Sequence, residues 1–200
     1  MSLDEYRRKR NFAETPEPRG RAGARGRRRQ PIFVVQKHAA SRLHYDFRLE
    51  INGVLASWAV PKGPSMNPAE KRLAVMTEDH PLEYADFEGV IPKGQYGAGT
   101  VMVWDRGSYE SENRIPVEEQ LARGKIDVTL HGNKLRGGFT LLETGQRSTG
   151  GRRAKNWLLI KHRDEYADPS WSIEAPALSR SVVSGLTLKE IARSHVSRSR

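Results

Sequence analysis

The chain has no cysteine among its 200 residues. Disulfide staples and thiolate metal sites are therefore excluded, and a reducing cytoplasm is the natural setting. Long apolar runs are also missing. No segment approaches the roughly 18 to 20 apolar residues of a membrane-spanning helix. The opening MSLDEYRRKRNF lacks the apolar stretch of a secretory signal, so no membrane partner is expected. There is no internal repeat and no nucleotide-binding glycine fingerprint. GQYGAGT at 94–100 precedes a strand-like run rather than a helix, and reads as a tight turn.

What the chain does have is positive charge, unevenly placed. The net charge is +10. Residues 1–30 hold ten Lys/Arg against four Asp/Glu, and residues 179–200 hold five against one. The middle, 31–178, is left with 19 of each sign and no net charge. Basic ends on a neutral body suit a polyanion such as nucleic acid; a solubilising or disordered tail is the plainer alternative. The Gly/Arg-rich stretch RGRAGARGRRRQP at 19–31 is expected to be mobile without a ligand. The organisation expected is a basic arm over 1–30, part of it contributing to the site, a folded body over 31–178, and a basic tail with a short helix over 179–200.

From residue 32 the pattern becomes short alternating runs: IFVVQK, LHYDFRLEI, VLASWAV, RLAVMT, TVMVWD, KIDVTLHG, GFTLLE and NWLLIKH. They are β-branched or aromatic and bounded by Gly, Pro or Asn, which predicts strands. A helix is predicted at 116–123, with Pro116 first, Glu118 and Glu119 in the first turn and Gly124 just past the end. TLKEIARSH carries a T-x-x-E capping box and predicts a second helix. The fold class is mainly β: an antiparallel barrel or curled sandwich of about eight strands with two short helices and flexible basic termini. Trp58, Trp104, Trp157 and Trp171 read as core rather than as base-stacking platforms.

The segment QKHAASRLHYDFRLE at 36–50 concentrates chemistry. Alternate residues of a strand share a face, so His44, Asp46, Arg48 and Glu50 lie on one side and Tyr45, Phe47, Leu49 and Ile51 on the other. His38 precedes His44 by six residues, enough for the chain to turn back. Two imidazoles and a carboxylate make a facial set that leaves coordination positions open, as catalysis requires. Spacing alone leaves three readings: an exposed amphipathic strand, a hydrolytic metal site, or a non-haem iron site with His131 or His162 as a distal ligand.

A resemblance narrows the choice. FVVQKHAASRLHYDFRLEINGVLASWAVPKGPS, AVMTEDHPLEYADFEGVIPKGQYGAGTVMVWDRGSYE, GFTLLE and NWLLIKH closely resemble the 3′-phosphoesterase domain of bacterial DNA ligase D, in its stand-alone form, over roughly residues 5–178. The resemblance implies a manganese-dependent enzyme, other divalent transition metals being possible, with its active site in the interior of a β-barrel. Its motif Q-x-H-x₅-H-x-D-x-R matches Gln36, His38, His44, Asp46 and Arg48. His38, His44 and Asp46 are then the metal ligands, and Arg48 contacts the scissile phosphate. His80 and Tyr84 of E-D-H-P-L-x-Y join the same phosphate. Lys62, Arg72, Arg10 and Glu17 match supporting positions. Where the family commonly has Asp after that N-terminal arginine, this chain has Asn11. On local sequence alone Lys62 is an ordinary turn lysine, Arg72 a surface strand residue, His80 a loop residue and Tyr84 half-buried core. His131, His162 and His195 match no catalytic motif of the family.

The implied chemistry is consistent. Arginine offers a fork matched to two phosphate oxygens, histidine can protonate a leaving group or donate a hydrogen bond, and a divalent ion neutralises charge and activates water. Metal binding needs neutral His38 and His44, so activity should fall at acid pH. The expected function is healing of 3′ ends at DNA or RNA–DNA primer-templates for repair by end joining, in the cytoplasm at the nucleoid. Partners would be a separate DNA ligase, polymerase and Ku-type end-binding protein. The competing readings are a non-catalytic DNA-end-binding module and an iron/2-oxoglutarate oxygenase.

Overall fold

The computed structural model describes residues 2–20, 30–145 and 155–198. Arg21, Arg25, Arg27, Arg28 and Arg29 of the Gly/Arg-rich stretch, and the side chain of His195, lie outside the described residues.

All eight predicted runs are strands. In chain order they are β1 Ile32–Ala39, β2 Leu43–Ile51, β3 Val54–Val60 and β4 Lys71–Met76, followed after two short strands by β7 Gly99–Ser111, β8 Lys125–Gly132, β9 Arg136–Glu143 and β10 Asn156–Lys161. The short ones are β5 His80–Pro81 and β6 Gly89–Ile91. The order β1-β2-β3-β4-β10-β9-β8-β7 closes on itself through antiparallel pairing of β7 with β1, giving an eight-stranded barrel. The β2–β3 hairpin turns on Asn52–Gly53, φ 52° and 78°, the left-handed pair that matches the twist of two strands.

Alternation sets what faces inward. Phe33, Val35, Phe47, Leu49, Trp58, Trp104, Phe139 and Trp157 are buried in one core fed by all eight barrel strands. Eight strands enclose a space just wide enough for such side chains. The outer face of β1, β3 and β7 is not left to water either. Val34, Leu55 and Val103 form a second apolar cluster with Tyr6, Tyr84 and Ala85. Tyr6 lies on an unpredicted helix, α1 Asp4–Arg8, and Tyr84 on a 3₁₀ turn, Leu82–Asp86.

This second cluster corrects one expectation. The resemblance implied an active site inside the barrel, but the interior is packed with apolar side chains. The polar face of β2 points outward, beneath the N-terminal segment and residues 77–97.

The helix at 116–123 forms as α2 Val117–Arg123, with Pro116 as the capping residue (ψ 142°) rather than the first helical one. Gly124 ends it at φ 82°. In α3 Leu188–Arg198 the capping box is made in both directions: the Glu190 amide donates to Thr187 Oγ1 (3.3 Å), and the Thr187 amide donates to Glu190 Oε2 (2.7 Å). Before it, Trp104 Nε1 donates to the Leu178 carbonyl at 2.8 Å and the Val182 amide to the Val103 carbonyl at 3.1 Å, which fastens this segment to the barrel wall. No helix among the described residues is long and apolar enough to cross a membrane.

Candidate metal and phosphate site

The β1–β2 hairpin register places His38 opposite His44 and Gln36 opposite Asp46. The imidazole centroids are 4.8 Å apart. His38 Nδ1 lies 3.6 Å from Asp46 Oδ2, and His44 Nε2 lies 3.7 Å from Asp46 Oδ1. One ligand atom from each of the three falls within 4.8 Å of the others, and neither His131 nor His162 joins them.

The far ring nitrogens explain why this set can take a cation. His38 Nε2 donates to the Gly97 carbonyl and His44 Nδ1 to the Arg42 carbonyl, both at 2.9 Å. A carbonyl only accepts, so each far nitrogen carries a proton, and an imidazole in its neutral form then turns its lone pair toward Asp46. Burial pushes the Asp46 carboxyl up, but Arg48, His38 and His44 outweigh it and hold its pKa well below the usual carboxylate range. Two oriented imidazoles and an ionised carboxylate fit a borderline divalent ion.

Arg48 is the hub of the neighbouring cluster. It is 2% exposed. Its Nε donates to Gln36 Oε1 (2.8 Å), its Nη1 to Ser57 Oγ (2.7 Å), and its Nη2 lies 3.3 Å from Asp46 Oδ2. Gln36 is itself anchored, donating through Nε2 to the Tyr84 and Phe87 carbonyls at 3.0 Å. His80 is buried between guanidinium groups, with Nδ1 2.9 Å from Arg48 Nη1 and Nε2 3.3 Å from Arg10 Nη2. Burial first, then Arg48 and Arg10, push the His80 pKa well below its ordinary value. Nδ1 also lies 2.9 Å from the Glu78 carbonyl. Tyr84 donates to Glu17 Oε1 at 3.1 Å. Burial, reinforced by Glu17, raises its pKa well above the ordinary value, so the phenol keeps its proton.

The N-terminal segment completes the wall. Arg10 Nε pairs with Glu17 Oε1 at 2.8 Å and Nη1 with Glu78 Oε1 at 3.1 Å, while its guanidinium stacks 3.8 Å over Tyr6. Together these groups line a cavity of about 340 Å³ that includes Arg10, His38, His44, Asp46, Arg48, His80 and Tyr84. Gln36 and Glu17 sit directly behind it. Lys62 and Arg72 are not brought in. Lys62 is exposed beyond the end of β3, and Arg72 on β4 pairs with Glu70 at 2.5 Å. Asn11 is exposed and accepts the Ala13 amide at 3.2 Å.

Sequence reasoning overlooked Ser57, Glu78 and Gly97. Ser57 pairs with Arg48 across β2–β3, and its place two residues after Leu55 on the same outward face was the available signal. Glu78 stands two residues before His80 in the quoted motif. The turn at 94–100 was recognised, but not the Gly97 carbonyl that orients His38.

The chain matches the DNA Ligase D 3′-phosphoesterase domain over residues 36–143, a span that opens at Gln36 and contains the triad, Arg48, His80 and Tyr84. It belongs to that family. Among relatives of this phosphoesterase family, the multifunctional non-homologous end joining protein LigD of Pseudomonas aeruginosa is 52% identical over 165 residues, 81% of this chain and 19% of that protein. The corresponding protein of Mycolicibacterium smegmatis is 47% identical over 167 residues, 82% and 21%. The multifunctional non-homologous end joining DNA repair protein LigD of Mycobacterium tuberculosis is 45% identical over 160 residues, 77% and 20%. This phosphoesterase-family chain thus spans about a fifth of the length of the curated relatives it matches.

Proposed function

We propose that the chain is a metal-dependent phosphoesterase that heals DNA 3′ ends for repair by end joining. As a phosphodiesterase it adds water across the bond to a 3′-terminal ribonucleoside, releasing the nucleoside and leaving a 3′-phosphate. As a phosphomonoesterase it adds water again, releasing inorganic phosphate and leaving a 3′-hydroxyl. The observation that carries this reading is the single cavity in which the oriented His38–His44–Asp46 set adjoins the buried Arg48 and His80.

Manganese or a similar divalent transition metal is the proposed cofactor, held by His38, His44 and Asp46; when bound it supplies charge neutralisation and an activated water. Arg48 grips the phosphate. Gln36 and Ser57 fix its fork in advance, so little side-chain entropy is lost when the substrate arrives. His80 donates from a ring nitrogen to a phosphate or leaving-group oxygen. An incoming phosphate offsets the two guanidinium charges that, after burial, hold the ring neutral. Tyr84 stays protonated and acts as a hydrogen-bond donor rather than a base. Arg10, in the cavity wall, and Glu17, behind it, position His80 and Tyr84. The terminal ribose is distinguishable because its 2′-hydroxyl both donates and accepts. Where the other steps of joining reside on other chains, the partners are a DNA ligase, a polymerase and a Ku-type end-binding protein, with the cytoplasmic nucleoid as the setting.

The test uses three labelled primers of one sequence annealed to a longer template with Mn²⁺. They end in a ribonucleotide, a deoxyribonucleotide or a 3′-phosphate. The first should shorten to a 3′-hydroxyl end, the last should lose its phosphate, and the all-deoxy primer should persist. Processive loss of the all-deoxy primer would make the chain an ordinary exonuclease. Binding without turnover would make it an end-binding module, and consumption of 2-oxoglutarate would make it an oxygenase.

A further inference from the structure

A second cavity, of about 530 Å³, opens beside the first and shares Arg10 with it. Its lining is Arg7, Arg10, Asn11, Phe12, Arg19 and Gly20, with no carboxylate among them. Arg10 is already committed to Glu17 and Glu78. Arg7 and Arg19 are exposed and, among the described residues, have no carboxylate within ion-pairing distance. Arg72, Arg106, Arg123 and Arg180 elsewhere each have one. Arg8, Arg42, Arg114, Arg136, Arg163 and Arg193 also lack one among the described residues, so what distinguishes Arg7 and Arg19 is that they line one cavity with Arg10 and are held there. Arg7 Nη2 reaches the Gly20 carbonyl at 3.5 Å, and the Arg19 guanidinium lies 5.2 Å over the Phe12 ring.

The wall of this cavity is fixed to the reacting site. Gly20, at φ 78°, approaches Pro81 so closely that an added Cβ would stand 2.6 Å from the proline Cβ. Pro81 follows His80, whose Nε2 faces Arg10 at 3.3 Å. The second cavity and the reacting pocket therefore keep a set spacing.

We propose that this cavity is a second phosphate subsite, in which Arg7 and Arg19 hold a non-reacting phosphodiester of the DNA whose 3′ end lies in the neighbouring pocket. The inference rests on the reading of the chain as acting on DNA ends and adds a register contact to it. Arginine forks suit phosphate oxygens, and contacts to non-reacting phosphates fix where a protein sits on a strand without reading its sequence. Such a subsite separates a polymer end from a free 3′-nucleotide, since the latter has no phosphodiester to place there.

The experiment measures binding with no turnover. A fluorescent primer-template ending in a 3′-phosphate is titrated with the full chain in EDTA, by anisotropy, at several salt concentrations. R7A/R19A should bind about tenfold more weakly, a typical scale for losing a charge-assisted phosphate contact. Its slope of log K against log salt should be flatter by about 0.9, the value of one duplex phosphate. R7E/R19E should bind more weakly still. Both residues are exposed, and an unchanged circular dichroism spectrum and urea midpoint check that each variant is folded. Single neutral methylphosphonate linkages are then moved along the primer and along the template. At one position the neutral linkage should weaken the wild type about as much as R7A/R19A does and leave that variant's affinity unchanged; the strand carrying it identifies the phosphate. A variant that binds as the wild type does, or that stays as sensitive at every linkage, overturns the subsite alone. A wild type that binds no primer-template overturns the DNA-end reading and the subsite together.

Discussion

Arg48 shows how one side chain can be fixed in advance for the phosphate contact proposed for it. It is buried, held by Gln36 and Ser57, and tied to Asp46 on one side while facing His80 on the other. Lysine could not replace it, because a point charge lacks the fork that meets two partners and a phosphate at once. The first prediction belongs at this scale. H44A and D46N should each abolish turnover of both primer substrates and lose Mn²⁺ binding by calorimetry, with an unchanged far-ultraviolet circular dichroism spectrum. His44 is half-buried at the mouth, so its removal leaves no large void. Normal turnover by either variant at saturating Mn²⁺ would rule out the ligand set. His44, Asp46 and Arg48 were legible because a strand repeats every two residues. Glu78 was not: its partners Lys9 and Arg10 lie 69 and 68 residues away in the chain.

At the scale of elements, the β1–β2 hairpin does most of the positioning, since its register alone brings His38 and His44 face to face. β7 does the closing, pairing β1 on one side and β8 on the other. The local signals for strands and for α2 and α3 were strong because each element carries its own punctuation. α2 ends at Gly124, whose positive φ satisfies the last turn at little cost only without a Cβ. G124A should therefore lose about 1 to 2 kcal/mol, with the Glu143 side chain also forced to move aside, seen as a lower urea midpoint with an unchanged slope. A midpoint equal to that of the wild type would mean the helix end relaxes freely. α1 was not legible: five residues rich in charge form no stable helix alone, and Tyr6 is held by tertiary contacts, packing on Tyr84 and His80 under the Arg10 guanidinium and donating its hydroxyl to the Pro18 carbonyl at 2.6 Å.

At the scale of the molecule, the described strands close into a barrel, which leaves no long strand edge among the described residues to template aggregation. Its outer wall is covered by a segment clamped through charge. Lys9 and Arg10 both reach Glu78, and Arg10 also reaches Glu17. Burial raises the Glu78 pKa, but its backbone hydrogen bond and the two cations lower it more, so the net shift is downward. Asp46 is lowered too, while burial raises Asp105 despite several backbone amides. A carboxyl whose folded pKa is depressed adds stability above its unfolded value of about 4 and loses it as pH falls through the folded value. The denaturant midpoint should accordingly begin to fall below about pH 6.5, where the unfolded chain takes up a proton that the buried His80 does not, and fall further below about pH 4 as Glu78 and Asp46 protonate, with Asp105 opposing the loss. E78Q should flatten the drop, and protease sites in residues 2–20 should open in the wild type as it occurs. An acid midpoint insensitive to E78Q would show that the clamp is not what titrates.

The pattern of residues by itself determined the strands, the mainly β class and the candidate metal face, because alternation, turn residues and two-residue spacing are local properties of a chain. The tertiary structure alone decided which side of the barrel carries the candidate site. Both faces of β1, β2 and β3 are covered, one by the barrel's own core and the other by the N-terminal segment and residues 77–97. Alternation shows that Tyr45, Phe47 and Leu49 share a side, but not that His44, Asp46 and Arg48 end in an outer pocket. That outcome depends on contacts such as Arg10 with His80 and Gly97 with His38, which form between residues 70 and 59 positions apart once the barrel has closed.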